Sequence, residues 1–317
     1  MLFNLFRNTA LISQKILNSR LSNKLEGYVL KEHPSTCDAT PIFIVGAPRT
    51  GSTLLYQLMV EHFKLAYLSN FASLFYSVPY LSSVVAQKSI SNKDTVSLYK
   101  SEFGFVKGLM APSEASKVIE HWFGDDDYQV NTDHMLHNYT CKKINALVKL
   151  FGGPILIKNM KLCLKMSQLS KIFPNAVFIH IKRDPLYTAQ SILQARQKIY
   201  GTMDKWWSFK VPGYEELEKK SCYVQVIQQV NIVNRQIENQ YQQIERKKVI
   251  TIRYEELCEH PQTVLNQLML ELPFLSKKPN NNSTALNRLV LIKNANQKKL
   301  DEPHWQKLLD AYQQIES

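Results

Sequence analysis

The sequence predicts an α/β fold in which a parallel sheet is flanked by helices, with a largely helical insertion after the first strand–loop–helix unit. Three observations predict it. Four short runs, Pro41–Val45 (PIFIV), Pro154–Ile157 (PILI), Ala176–Ile181 (AVFIHI) and Val249–Ile252 (VITI), are nearly continuous in apolar residues, the pattern of strands covered on both faces. Helical periodicity separates them, over Leu54–His62, Lys161–Phe173, Leu186–Lys198 and Ser221–Glu245. Between the first strand and the first helix lies Gly46-Ala47-Pro48-Arg49-Thr50-Gly51-Ser52-Thr53, a GxxxxG turn that makes the sheet P-loop-like.

Bulk properties set the frame. The 317 residues suit one large domain or two small ones, with enough chain to bury a substantial core, and are taken as a single domain over 1–317. With 39 Lys and Arg against 27 Asp and Glu, the net charge of +12 favours anionic partners without choosing among nucleotide, membrane and nucleic acid. The five cysteines are scattered and form no CxxC pair, so neither a disulfide framework nor a zinc site is expected. That usage suits a reducing, cytoplasmic compartment.

Along the chain, residues 1–25 read as an amphipathic helix. Leu2, Phe3, Phe6, Ala10, Ile16, Leu17 and Leu21 share a face, with Arg7, Lys15, Arg20 and Lys24 among the basic residues. Such a face suits the rest of the domain, a second subunit in a homodimer, or a peripheral membrane contact. It lacks the uninterrupted apolar stretch and cleavage site of a secretory signal. Residues 65–150 form the insertion and are expected to supply an acceptor pocket. PNNNST at Pro279–Thr284 reads as a loop, and the tail after Asn287 as a helix with Leu308, Leu309, Tyr312 and Ile315 on its apolar face.

In open parallel sheets ligands bind beyond the carboxyl ends of the strands. Here those positions hold Gly46–Thr53, Lys158–Asn159, Arg183–Asp184–Pro185 and Arg253–Tyr254, each a cation or a turn rich in backbone donors. The first is built for phosphate: backbone N–H groups and a helix N-terminus, with hydroxyls from Ser52 and Thr53 and the charge of Arg49. Ser52 stands where a nucleoside-triphosphatase carries its lysine, which argues against ordinary ATP hydrolysis. Arg183 can grip a phosphate bidentately. Lys158 ends the second strand beside the loop. Asp125–Asp127, Asp133, His134 and His137 match no standard metal spacing, so no metal is expected.

These segments resemble the PAPS-dependent sulfotransferases (PAPS is 3'-phosphoadenosine-5'-phosphosulfate), particularly the bacterial and tyrosylprotein branch. PIFIVGAPRTGSTLL is similar to the family's 5'-phosphosulfate loop, which implies that Arg49, Thr50, Gly51, Ser52 and Thr53 hold that group. FPNAVFIHIKRDPLYTAQSIL is similar to its second signature, which assigns Arg183 and Ser191 to the 3'-phosphate. VITIRYEELCEHPQTVLNQL looks like its R-Y-E-[DE]-L segment and puts Tyr254 near the adenine or its sugar. PILIKNM resembles the strand-end lysine motif, with Met160 in place of a proline, and implies that Lys158 stabilises the leaving phosphate.

The general base transfers less well. The glutamate that tyrosylprotein enzymes carry about twenty residues after the loop is absent, with Asn70 near its place. Glu114 is chosen because some bacterial members carry a similar PSE segment, with His121 second because other branches use a histidine. The expected function is transfer of a sulfuryl group from PAPS, without metal, to a hydroxyl or amine. The acceptor is left open among small molecules, lipids, carbohydrates and proteins, with no nucleic acid expected. Two rival readings stand beside it. One is a P-loop kinase or NTPase using Asp184 for magnesium; the other is a non-catalytic basic protein that binds membrane or nucleic acid.

Overall fold

The computed structural model describes residues 18–89, 101–102, 104–245, 248–278 and 296–316. Its main sheet contains β1 (Ile42–Val45), β2 (Ala66–Tyr67), β5 (Ile155–Lys158), β6 (Val177–Lys182) and β7 (Val249–Arg253), in the order β2-β5-β1-β6-β7. Every pairing is parallel. The continuous apolar runs have their reason in this arrangement. Phe43 and Val45 face one apolar core and Ile42 and Ile44 the other, so neither face of β1 meets water.

Thirteen helices surround the sheet among the described residues: α1 (Arg20–Val29), α2 (Ser52–His62), α3 (Asn70–Leu74), α4 (Pro79–Ser89), α5 (Ser116–Phe123), α6 (His134–Phe151), α7 (Met166–Ile172), α8 (Pro185–Tyr200), α9 (Tyr214–Leu217), α10 (Cys222–Tyr241), α11 (Tyr254–Glu259), α12 (Pro261–Glu271) and α13 (Glu302–Glu316). α2 and α12 cover one face through Leu55, Met59, Leu265 and Leu268. α6, α8 and α10 cover the other through Ile144, Leu147, Ile192, Leu193, Val226 and Val230. Leu308 of α13 is buried in that second core, with Tyr312 and Ile315 packed against it as the tail's periodicity predicts; Leu309 is only half-buried, and the helix starts at Glu302, residues 296–301 before it being irregular. Residues 1–17 of the expected N-terminal helix and the whole Pro279–Thr284 loop lie outside the described residues; α1 starts at Arg20 behind the N-cap Ser19 and runs past residue 25 to Val29.

Four features differ from the expectations. The insertion also contributes β2, a two-residue edge strand too short to leave a periodic signal, which pairs Ala66 with Ile155. It holds a hairpin as well, β3 (Ser101–Glu102) with β4 (Phe105–Val106). The single helix expected over Lys161–Phe173 is a 3₁₀ turn, Met160–Leu164, followed by α7. Gln240 of α10 occupies the break, donating to Cys163 O at 2.9 Å and accepting from Ser167 N at 3.1 Å.

The fourth difference corrects the reading of the cysteines. Cys37 and Cys141 are joined in a disulfide, with Cα atoms 5.1 Å apart, while Cys163, Cys222 and Cys258 are free and buried. Their separation of 104 residues gave no local signal; docking of α6 beside the segment leading into β1 brings them together. The expectation of a reducing compartment rested on their being unpaired and loses that support.

Candidate active site

The strand ends converge on one cleft of about 340 Å³. Arg49, Gly51, Ser52, Thr53, Glu114, Lys158, Arg183 and Tyr254 line it, residues contributed by four strand-end loops and the insertion. The turn after β1 is shaped by two left-handed residues, Arg49 at φ 71° and Gly51 at φ 90°. Gly51 is required twice over. A side chain there would be strained, and its Cβ would sit 2.2 Å from the ring of Tyr254. Gly51 also offers no side-chain cap to α2, which leaves that helix's first N–H groups for an anion.

Within the loop the side chains divide their work. Thr50 is fully buried and donates to Ala47 O at 2.8 Å, so its hydroxyl closes the turn and does not line the cleft. Ser52 lies against Met160 Sδ at 3.9 Å. Thr53 Oγ1 accepts from Lys158 Nζ at 3.2 Å. A lysine thus reaches this turn from β5, although the loop itself carries none.

Arg49 turns away from the loop. Its Nε donates to Ser191 Oγ at 3.1 Å, and Arg183 Nη1 donates to Arg49 O at 3.1 Å. The sequence grouped Arg49 with Thr50–Thr53; the fold places its guanidinium with Arg183 and Ser191. Burial, with the neighbouring charge of Arg183, lowers the pKa of Arg49. Arg183 lies 4.6 Å from the ring centre of Tyr254 and donates to Asn296 Oδ1 at 3.0 Å. Asn296 in turn donates to Glu255 Oε1 at 2.7 Å. Tyr254 is therefore wedged between the Gly51 turn and Arg183, and burial pushes its phenol up to about 12. Asp184 serves as the N-cap of α8, accepting from Leu186 N at 2.9 Å and Tyr187 N at 3.2 Å.

At the other end of the cleft Lys158 forms an ion pair with Glu114, its side chain 2% exposed. Glu114 is held by its backbone. Asn159 Nδ2 donates to Glu114 O at 3.2 Å and to Ser116 Oγ at 3.3 Å, across Ala115 at φ 44°. The hairpin closes over the pair at Gly104, φ 92°, where a Cβ would lie 2.7 Å from Glu114 Oε1. His121 does not line the cleft; its ring packs edge-on to Tyr76, and burial lowers its pKa. Asn70, at the position where the family's glutamate was sought, ties the hairpin down by donating to Val106 O at 2.6 Å and Gly108 O at 2.8 Å.

The far wall was not anticipated from sequence. Trp207, Ser208 and Phe209 line it, and Ser208 has φ 77°. Buried Arg196 braces this loop, lying 5.2 Å from the Trp206 ring centre and donating to Met203 O at 3.2 Å. The available signal was Trp206-Trp207 and Phe209 within an otherwise polar stretch. Arg49, Ala115 and Ser208 are the three non-glycine residues with positive φ among the described residues. Two line the cleft and the third sits between Glu114 and Ser116, which also line it. Backbone strain concentrated in this way marks a functional site.

Comparison with known proteins bears on the family and the fold. A sequence profile described as the sulfotransferase family matches residues 41–274. The omega-hydroxy-beta-dihydromenaquinone-9 sulfotransferases Stf3 of Mycobacterium bovis and Mycobacterium tuberculosis are each 23% identical over 252 residues, which is 73% of this chain. The chain spans 62% of the length of these curated relatives. In fold it resembles the crystal structure of sulfotransferase STF9 from Mycobacterium avium, with TM-score 0.52 and 15% identity over 90% of this chain and 78% of that one. The parallel sheet, the strand-end cleft and a profile match running from β1 through α12 lead to one conclusion: the chain belongs to the sulfotransferase family.

Proposed function

We propose that the protein transfers a sulfuryl group from PAPS to an acceptor hydroxyl or amine. The observation that carries this reading is that one cleft is lined both by Arg49 and Arg183, with Ser191 behind Arg49, and by a separate Lys158–Glu114 centre. Arg183, Arg49 and Ser191 supply the donors a 3'-phosphate requires. The open N-terminus of α2, with Ser52 and Thr53, suits the 5'-phosphosulfate, and Tyr254, which also lines the cleft, is assigned to the adenine or its sugar.

Transfer forms an S–O or S–N bond to the acceptor and breaks the S–O bond to the leaving phosphate, whose charge must be balanced. Glu114 takes the acceptor's proton. Once neutral it no longer competes for the Lys158 ammonium, which turns its charge to the leaving oxygen. The same residues argue against the rival NTPase. Ser52 replaces the loop lysine, and Asp184 is engaged as a helix cap. The acceptor named for the Stf3 relatives makes a lipid alcohol the first class to assay.

The donor reading is tested by thermal stabilisation with PAP, the desulfated product, against ADP and ATP without magnesium. PAP should stabilise the protein most, and Arg183→Ala should remove the preference. Equal responses to all three nucleotides would overturn the donor assignment.

A further inference from the structure

α1 is folded inside out. Its inner stripe, Asn23, Glu26, Gly27 and Leu30, packs on the insertion, yet it contains a carboxylate, an amide and a glycine. Glu26 is fully buried, paired to Lys143 Nζ at 2.9 Å and accepting from Tyr80 N at 2.8 Å and Leu81 N at 3.1 Å. Tyr139 donates to Asn23 O at 2.7 Å. The outer stripe, spaced i, i+4, i+7 and i+8, holds the large apolar residues: Leu21 is 68% exposed, Leu25 57%, Tyr28 77% and Val29 48%. A helix that meets only its own domain and water is expected to show the reverse. Its outer face is therefore built for an apolar environment.

Charge decides which one. Residues 1–25 contain Arg7, Lys15, Arg20 and Lys24 and no Asp or Glu, within a chain of net charge +12. Lys24 and Lys31 are exposed, as is a single carboxylate, Glu32, after them. A basic apolar face of this kind complements an anionic lipid surface, where apolar burial and attraction to acidic headgroups add. Hydrogen bonds also tie the residue before the α1 N-cap to the segment that follows the hairpin. Asn18 Nδ2 donates to Leu74 O at 2.9 Å at the end of α3, and Phe71 N of α3 donates to Leu109 O at 2.8 Å on the segment after β4. Leu74, Phe105 and Leu109 along that path are exposed and apolar, and Phe105 follows Gly104, which closes over Glu114.

We infer that α1 docks on an anionic phospholipid bilayer through Leu21, Leu25, Tyr28 and Val29. The docking stands independently of the chemistry. Delivery of a membrane-borne acceptor to the cleft is a consequence that rests on the proposed sulfuryl transfer.

The full chain is sedimented with vesicles of phosphatidylcholine alone and of phosphatidylcholine with phosphatidylserine, and hydrogen exchange is followed over residues 20–29. Binding and protection should arise only with phosphatidylserine. Leu25→Glu with Tyr28→Glu should weaken binding by at least about tenfold while leaving stabilisation by PAP unchanged. Three results would overturn the inference: absence of vesicle binding, equal binding to both vesicles, or protection of 20–29 before vesicles are added. The last would mean that the chain itself or a second copy covers the face. Because PAP stabilisation is read separately, a failed donor assignment is not confused with a failed docking surface.

Discussion

Lys158 and Glu114 form one ion pair although 44 residues separate them in sequence. β5 delivers the ammonium and the turn held by Asn159 delivers the carboxylate. The expected consequence is a division of labour. Glu114→Gln should lower kcat by roughly 10²–10⁴-fold, the loss expected for the proposed base. Lys158→Ala should lower it by about 10²–10³-fold through the leaving group. Neither should abolish stabilisation by PAP. Labelled-PAPS turnover with an acceptor panel measures this, and full activity in Glu114→Gln would show that another residue is the base.

Gly51 and Gly201 separate backbone strain from contact. Both have positive φ, but a Cβ at Gly201 meets nothing within 4 Å, whereas one at Gly51 collides with Tyr254. Gly201→Ala should cost about 1 kcal/mol from strain alone. Gly51→Ala should cost more and remove the PAP-dependent rise in melting temperature. Equal costs with PAP binding retained would show that Tyr254 moves aside freely.

His180 makes the fold acid-sensitive. Burial in β6, with Lys182 nearby, lowers its pKa from 6.5 to about 3. Between those values the unfolded chain binds a proton that the native state refuses. The stability conferred by neutral His180 is thus intact above pH 6.5 and is lost as pH falls towards 3. The slope is up to about 1.4 kcal/mol per pH unit. Urea unfolding at pH 7, 6 and 5 should show a shallower decline for His180→Phe than for the parent; identical slopes would remove His180 as the cause.

The Cys37–Cys141 bond closes a loop of 104 residues and fastens α6 to the segment entering β1. Opening it should cost about 2–4 kcal/mol. Thermal unfolding with and without a phosphine reductant should show a drop of several degrees in the parent. Cys37→Ser should start from the lower value and ignore the reductant. A parent indifferent to reductant would show that the bond contributes nothing.

Local sequence was enough for the core of the sheet. β1, β5, β6 and β7 were legible because strands buried on both faces must be continuously apolar, and the turn at Gly46–Thr53 because its glycines answer to backbone geometry. The residues at those strand ends could be named for the same reason: a parallel sheet sends every carboxyl end to one edge. What depends on distant segments meeting left no local trace. The two-residue strand β2, the break that Gln240 makes before α7, and the Cys37–Cys141 bond are of this kind. So are the turn of Arg49 towards Ser191 and the burial of Glu26 on the inner face of α1. Each depends on packing between elements far apart in the chain, and only the tertiary structure decided it.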